Sequence, residues 1–176
     1  EAELPAARGP LQMQGTDVRE GDVIVAVNGR KANAVTDISE LLRGTAGQQT
    51  LLELARAGSS KREVVVPVDA NREADLRYQD WVQGRREKVE AAGNGRIGYL
   101  HLRAMGPNDI ANFVREFYGQ FDRDALVIDV RRNRGGNIDS WVIEKLLRRA
   151  WAFSAPPQGE PYPNMQQTFR GHLAVL

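Results

Sequence analysis

Over the first 68 residues, apolar positions alternate or cluster in short runs, the pattern of β-strands joined by turns. Asp22-Val23-Ile24-Val25-Ala26-Val27 reads as a strand, and Asn28-Gly29 after it supplies the positive φ angles of a tight turn. Asp37 followed by Glu40 has the spacing of a capping box, which opens a short helix through Leu41 and Leu42 that Gly44 ends. Residues 50–56 and 63–68 are expected as two further strands, joined by the turn Ala57-Gly58-Ser59-Ser60. From 71 to about 92 the period changes. That stretch is charged and helical, with Ala74, Tyr78, Trp81, Val82 and Val89 on one face, and Gly93-Asn94-Gly95 stops it. It reads as a connector packed along one side.

The remainder alternates strand and helix. Residues 97–102 form a strand, and Ile110, Phe113, Val114, Phe117, Tyr118 and Phe121 recur at helical spacing. Ala125-Leu126-Val127-Ile128-Asp129-Val130 is a nearly continuous apolar strand, as expected where both faces are covered. Ile138, Val142, Leu146, Leu147 and Ala150 give the next helix, with Trp141 and Trp151 expected to pack. A loop carrying Pro156, Pro157, Pro161 and Pro163 leads to a last strand at 172–176. This βαβαβ order implies a parallel sheet with right-handed crossovers. The fold expected is therefore α+β overall: a small β-rich module at 1–69, a connector helix at 70–95 and an α/β half-domain at 96–176. Both ends look cut, because the last strand has no following helix to cover it.

Composition narrows the classes of function. Of 176 residues, 41 % are hydrophobic and 27 % charged, which fits a globular chain. Lys plus Arg (24) nearly balances Asp plus Glu (23), so no field of one sign draws in nucleic acid or an anionic membrane. No apolar run approaches the roughly 20 residues that span a bilayer. Cysteine is absent, which removes disulfides, thiolate metal sites and cysteine nucleophiles together. Only His101 and His172 are available, so a multi-histidine metal centre is not expected, nor is a cofactor.

In an open parallel sheet, chemistry gathers at the carboxyl ends of the strands. The loop there is Arg131-Arg132-Asn133-Arg134-Gly135-Gly136-Asn137, between a buried strand and a helix. Two glycines at a helix start let backbone N–H groups approach a ligand, and the helix dipole favours negative charge there. A phosphate, a carboxylate or the oxyanion of acyl transfer suits such a place. A plain tight turn fits the spacing equally well. The loop matches neither a Walker P-loop nor a dinucleotide fingerprint.

These segments resemble a known family. Gly98-Tyr99-Leu100-His101-Leu102, Met105-Gly106, and then Leu126-Val127-Ile128-Asp129-Val130-Arg131-Arg132-Asn133-Arg134-Gly135-Gly136-Asn137 are similar to the core of the tricorn and tail-specific (carboxyl-terminal processing) serine peptidases, a core of crotonase- and ClpP-like type. Glu160-Pro161-Tyr162-Pro163 and Phe169-Arg170-Gly171-His172-Leu173-Ala174-Val175-Leu176 resemble the family's approach to its serine. Val18-Arg19-Glu20-Gly21-Asp22 through Asn28-Gly29 resembles bacterial PDZ domains, and the connector with Tyr78 and Trp81 sits where tricorn relatives carry a comparable helix. The resemblance implies a serine peptidase acting on peptides or unfolded chains, with the PDZ-like module binding or gating substrate. It also implies that Gly135 or Gly136 lends a backbone N–H to the oxyanion hole, without choosing between them. The nucleophile, the general base and the acidic helper are then expected outside these residues, leaving the piece inactive alone. Arg134 stands where the family commonly has glycine or proline. Family members point to a homo-oligomer in the cytoplasm, or alternatively to an exported enzyme.

Other residues invite roles. His101 and His172 are read as packed or surface histidines, and Ser140, with Asp139, as satisfying free N–H groups in a first helical turn. Arg131, Arg132 and Arg134 could hold a substrate carboxylate, with Asn137 adding a polar contact, although solvated arginines pairing with nearby carboxylates are the simpler reading. The aromatic set Phe113, Phe117, Tyr118 and Phe121 is read as core. Two other functions compete: a PDZ scaffold bearing an inactive α/β domain, and a crotonase-type enzyme acting on acyl thioesters.

Overall fold

A computed structural model describes residues 8–165 and 167–176; the first seven residues of the expected β-rich module lie outside them. Asn28 and Gly29 both take left-handed backbone, with φ of 49° and 77°. They fold β1 (Val23–Val27) back onto the two-residue β2 (Arg30–Lys31). Asn28 also ties this turn to the next strand. Its N–H donates to the Leu51 carbonyl (2.8 Å), and its Oδ1 accepts from the Leu51 N–H (2.9 Å). β3 (Thr50–Arg56) and β4 (Ser59–Val65) complete an antiparallel sheet in the order β2-β1-β3-β4. Val27, Leu41, Leu52, Leu54 and Val65 form its core.

Two details differ from the sequence reading. β4 starts at Ser59 rather than 63, because Ala57 (φ 46°) and Gly58 (φ 84°) close a two-residue turn by themselves. It ends at Val65, short of Pro67, which has no N–H to give a ladder. The helix expected after Asp37 is a single 3-10 turn, Ile38–Glu40. Asp37 accepts from the Ser39 N–H (2.8 Å), while the Glu40 N–H goes to the Asp37 carbonyl (3.0 Å), so the full capping box does not form. An ion cluster of Asp17, Asp22, Arg56 and Lys61 fastens the entry loop to β3 and β4. Arg56 grips the buried Asp22 carboxylate with both Nε and Nη2 (2.6 Å each) and holds its pKa down at about 2.

The chain divides into two compact units between Trp81 and Val82, inside α1 (Ala70–Ala92). No residue of α1 is fully buried. The Tyr78 and Trp81 rings lie 5.8 Å apart and half-buried, but Ala74, expected beside them, is exposed, its single methyl having little area to bury. The helix stops where Asn94 turns left-handed (φ 49°) and the Gly95 N–H reaches back to the Glu90 carbonyl (2.8 Å).

The second unit is built on β5 (Ile97–His101), α2 (Pro107–Tyr118), β6 (Ala125–Asp129) and α3 (Asp139–Leu147). Two short strands follow, β7 (Phe153–Ser154) and β8 (Tyr162–Pro163), and then β9 (His172–Val175). β5, β6 and β9 make the expected parallel sheet in that order. β7 and β8 pair antiparallel within the proline loop; two residues each are too few to show an alternating pattern. The core joins Leu100, Leu126 and Ile128 of the sheet to Phe113, Phe117, Val142 and Phe169. Phe113 stacks on Phe117 (5.4 Å) and meets Trp141 edge-on (5.7 Å). Trp151, by contrast, is 79 % exposed and Leu147 69 %. α3 ends at Leu147, so Ala150 and Trp151 never share its buried face. Gln120 closes part of β5 with its side-chain amide, which accepts from the Tyr99 N–H (2.8 Å) and donates to the Tyr99 carbonyl (3.1 Å).

Phe113 is 2 % exposed and touches both helices of this unit. Phe113→Ala should lower unfolding free energy by about 3–5 kcal/mol, read as a fall in the urea midpoint at constant slope. A loss under about 1 kcal/mol would show that α2 and α3 do not share this core.

Candidate active site

β6 is apolar until its last residue, where Asp129 arrives at the carboxyl end of the sheet, opposite His101 of β5. The Asp129 carboxylate is wholly buried. The Tyr99 hydroxyl donates to Oδ2 (2.7 Å), and Arg131 donates its backbone N–H (3.0 Å) and Nε (2.9 Å) to Oδ1 and its Nη2 to Oδ2 (2.6 Å). Burial pushes this carboxyl up, but the donors of Arg131 and Tyr99 outweigh it and hold the pKa at about 2. Burial, with the neighbouring anion, raises the Tyr99 hydroxyl above its ordinary value. His101 is half-buried, and desolvation lowers its pKa against the opposing pull of Asp129.

The loop after β6 is laced to the segment that follows β5. The Val130 N–H donates to the Leu176 carbonyl (3.0 Å), continuing the ladder with β9. Arg132 then turns left-handed (φ 61°), and the loop amides can be accounted for one by one. Asn133 N–H donates to the Val130 carbonyl (3.1 Å), and Arg134 N–H to that of Arg103 (3.0 Å). Gly135 N–H donates to the Asn133 side-chain Oδ1 (2.6 Å). Asn137 and Ile138 both donate to the Met105 carbonyl (2.8 and 3.1 Å). Between Asn133 and Ile138, Gly136 alone has an N–H with no acceptor among the described residues.

The reason is geometric. Gly136 faces Met105 in a parallel bridge, in which Met105 bonds to the flanking Gly135 carbonyl (2.8 Å) and Asn137 N–H. The peptide N–H of Gly136 therefore points away from that bridge. Glycine is required at this position: at φ 143°, a Cβ would lie 2.0 Å from the Met105 carbonyl oxygen.

Of the other residues singled out, Arg131 is committed to Asp129, with its side chain 48 % exposed. Arg132, Arg134 and Asn137 are exposed on the loop. Ser140 is exposed within α3, whose cap position is Ile138; Asp139 and Ser140 thus lie inside the helix rather than capping it. His172 is exposed at the start of β9, at the opposite end of the sheet from the loop. That opposite end carries a polar cleft of about 1130 Å³ bordered by Arg96, Asp124, Gly171 and His172. Sequence reasoning missed Asp129, Tyr99 and Asn133. The available signal was a single acidic residue closing a buried apolar strand.

Tyr99→Phe removes one donor from a buried charge and should cost about 1.5–3 kcal/mol, measured by denaturant unfolding. Asp129 titrates lower in the folded chain (about 2) than its ordinary value of 3.8. The stability it contributes is therefore complete above about pH 4 and lost as pH falls through about 2. Asp129→Asn should flatten that acid limb of stability; an unchanged limb would mean the carboxylate is not the group titrating.

Comparison with known proteins places both stretches of the chain in known families. Residues 1–70 match the family described as the tricorn protease PDZ domain, and residues 96–176 match peptidase family S41. "Tricorn protease homolog 1" of Streptomyces coelicolor is 39 % identical over 172 residues, covering 98 % of this chain and 16 % of the relative. "Putative tricorn protease homolog 2" of the same organism is 41 % identical over 174 residues, covering 97 % and 14 %. The crystal structure of the tricorn protease superposes with a TM-score of 0.73 at 28 % identity, over 88 % of this chain and 15 % of that one. The chain thus spans about one sixth of the length of the proteins it matches. With both stretches present and the Gly-Gly loop between β6 and α3, the chain belongs to the tricorn and tail-specific serine peptidase family.

Proposed function

We propose that these residues are part of a serine peptidase and that the Gly136 N–H is a donor of its oxyanion hole. The observation that carries this reading is the unpaired Gly136 amide at the carboxyl end of a parallel strand, between Asn133 and Ile138, whose other amides are bonded. Attack of a serine Oγ on a peptide carbonyl places negative charge on the carbonyl oxygen. A fixed N–H aimed at that oxygen stabilises the tetrahedral state without reorganising at the moment of reaction. The serine proton passes to a general base and then to the leaving amine. Nucleophile, base and acidic helper belong, on this reading, to the longer protein, and the 176 residues alone are inactive.

The PDZ-like module at 1–69 would take a peptide or unfolded chain as an added strand, with the connector at 70–95 leading to the peptidase part at 96–176. Asn137, exposed one residue after Gly136, and the solvent side of Arg131 would contact substrate. By analogy with its relatives the longer protein would be a cytoplasmic homo-oligomer. Among the described residues no helix is long and apolar enough to cross a membrane.

In the longer protein, Gly136→Ala, whose Cβ would meet the Met105 carbonyl and push the N–H out of place, should lower kcat by about 10²–10³, the scale of a lost donor. Gly135→Ala keeps its N–H, and its Cβ meets nothing within 4 Å, so the cost is confined to the left-handed backbone (φ 79°) and should be far less. A serine-directed phosphonate should label the longer protein and leave the 176-residue chain unlabelled. A longer protein that neither takes the label nor cleaves unfolded casein would instead be a PDZ scaffold with an inactive α/β domain.

A further inference from the structure

We infer that Asn133 is a positioning residue that decides which loop amide is left to face substrate. The inference rests on the oxyanion reading of Gly136. Asn133 is half-buried, and its carboxamide spans two elements: Nδ2 donates to the Leu102 carbonyl just after β5 (2.7 Å), and Oδ1 accepts from the Gly135 N–H (2.6 Å). Its own N–H is held by the Val130 carbonyl (3.1 Å), and Leu102 is held in turn by the Asp129 carbonyl (3.0 Å).

The bond to Gly135 has a chemical consequence. Two adjacent glycine amides would otherwise be open to an oxyanion, in a stretch where Arg132 (φ 61°), Gly135 (φ 79°) and Gly136 (φ 143°) all have positive φ. By occupying the first amide, Asn133 leaves the second as the defined donor. By holding Leu102, it ties the loop to the end of β5. Both tasks need a donor and an acceptor on one short planar group. Aspartate keeps the acceptor for Gly135 but sets a charge against the Leu102 carbonyl. Alanine releases both.

The test pairs kinetics of the longer protein with amide hydrogen exchange on the 176-residue chain. Asn133→Ala should lower kcat by up to about 10²-fold, the scale of a misplaced catalytic group, with KM nearly unchanged. Its Gly135 amide should exchange far faster than in the native chain, while Gly136 exchanges fast in both. Asn133→Asp should keep the Gly135 amide slow yet remain well below native kcat, and it carries the same comparison should the alanine variant fail to fold. Native kcat in either variant, a defect confined to KM, or a Gly135 amide equally slow in Asn133→Ala each overturns the proposal. If the unmutated longer protein cleaves no peptide, the oxyanion reading fails, and the exchange data still decide whether Asn133 holds Gly135.

Discussion

One carbonyl oxygen, that of Met105, organises the carboxyl end of the parallel sheet. It accepts from both Asn137 and Ile138, and the Met105 N–H donates to Gly135, so the loop after β6 runs as a short parallel continuation of the sheet before turning into α3. Contact this close leaves no room for a side chain at Gly136. The same contact commits the Asn137 and Ile138 amides and turns that of Gly136 outward. The open amide is the remainder of a run, Asn133 to Ile138, whose other amides are bonded.

Beneath the loop lies a buried charge. Removing a carboxylate from water is costly unless its lone pairs are filled, and a buried ion pair on balance adds little stability. Asp129 is filled by Tyr99 and by three donors of Arg131, one of them backbone. That bidentate clasp fixes the first residue of the loop relative to β6. Asn133 then fixes the middle, and Met105 the end. A loop with positive φ at Arg132, Gly135 and Gly136 is thus held at three points.

The two units use polar groups differently. In the first, Asn28 and the cluster around Arg56 secure turns and an entry loop against a small sheet. In the second, the polar ties converge on one end of the sheet, the end where ligands gather in open α/β folds. The PDZ match falls on the β-rich stretch and the S41 match on the α/β stretch.

The order of strands and helices was legible because it is written in local period and turn chemistry. Asn28-Gly29 forms its turn, Phe113 and Phe117 mark the core face of α2, and the apolar run of β6 buries Leu126 and Ile128 on one face while Val127 on the other is partly covered. Local signals failed where neighbours in space decide. Trp151 has the apolar surface of a core residue but lies past the end of α3, and β7 and β8 are too short to carry a pattern. Gly135-Gly136 was legible as a candidate loop, yet the two glycines are indistinguishable as letters. Choosing between them required the Asn133 carboxamide and the Met105 carbonyl, groups brought beside them by chain folding across some thirty residues in the second case. Sequence alone determined the periodicities and backbone freedoms; which hydrogen-bonding groups were spent and which stayed open was a matter of tertiary contact, because a donor is free only relative to the acceptors that folding places around it.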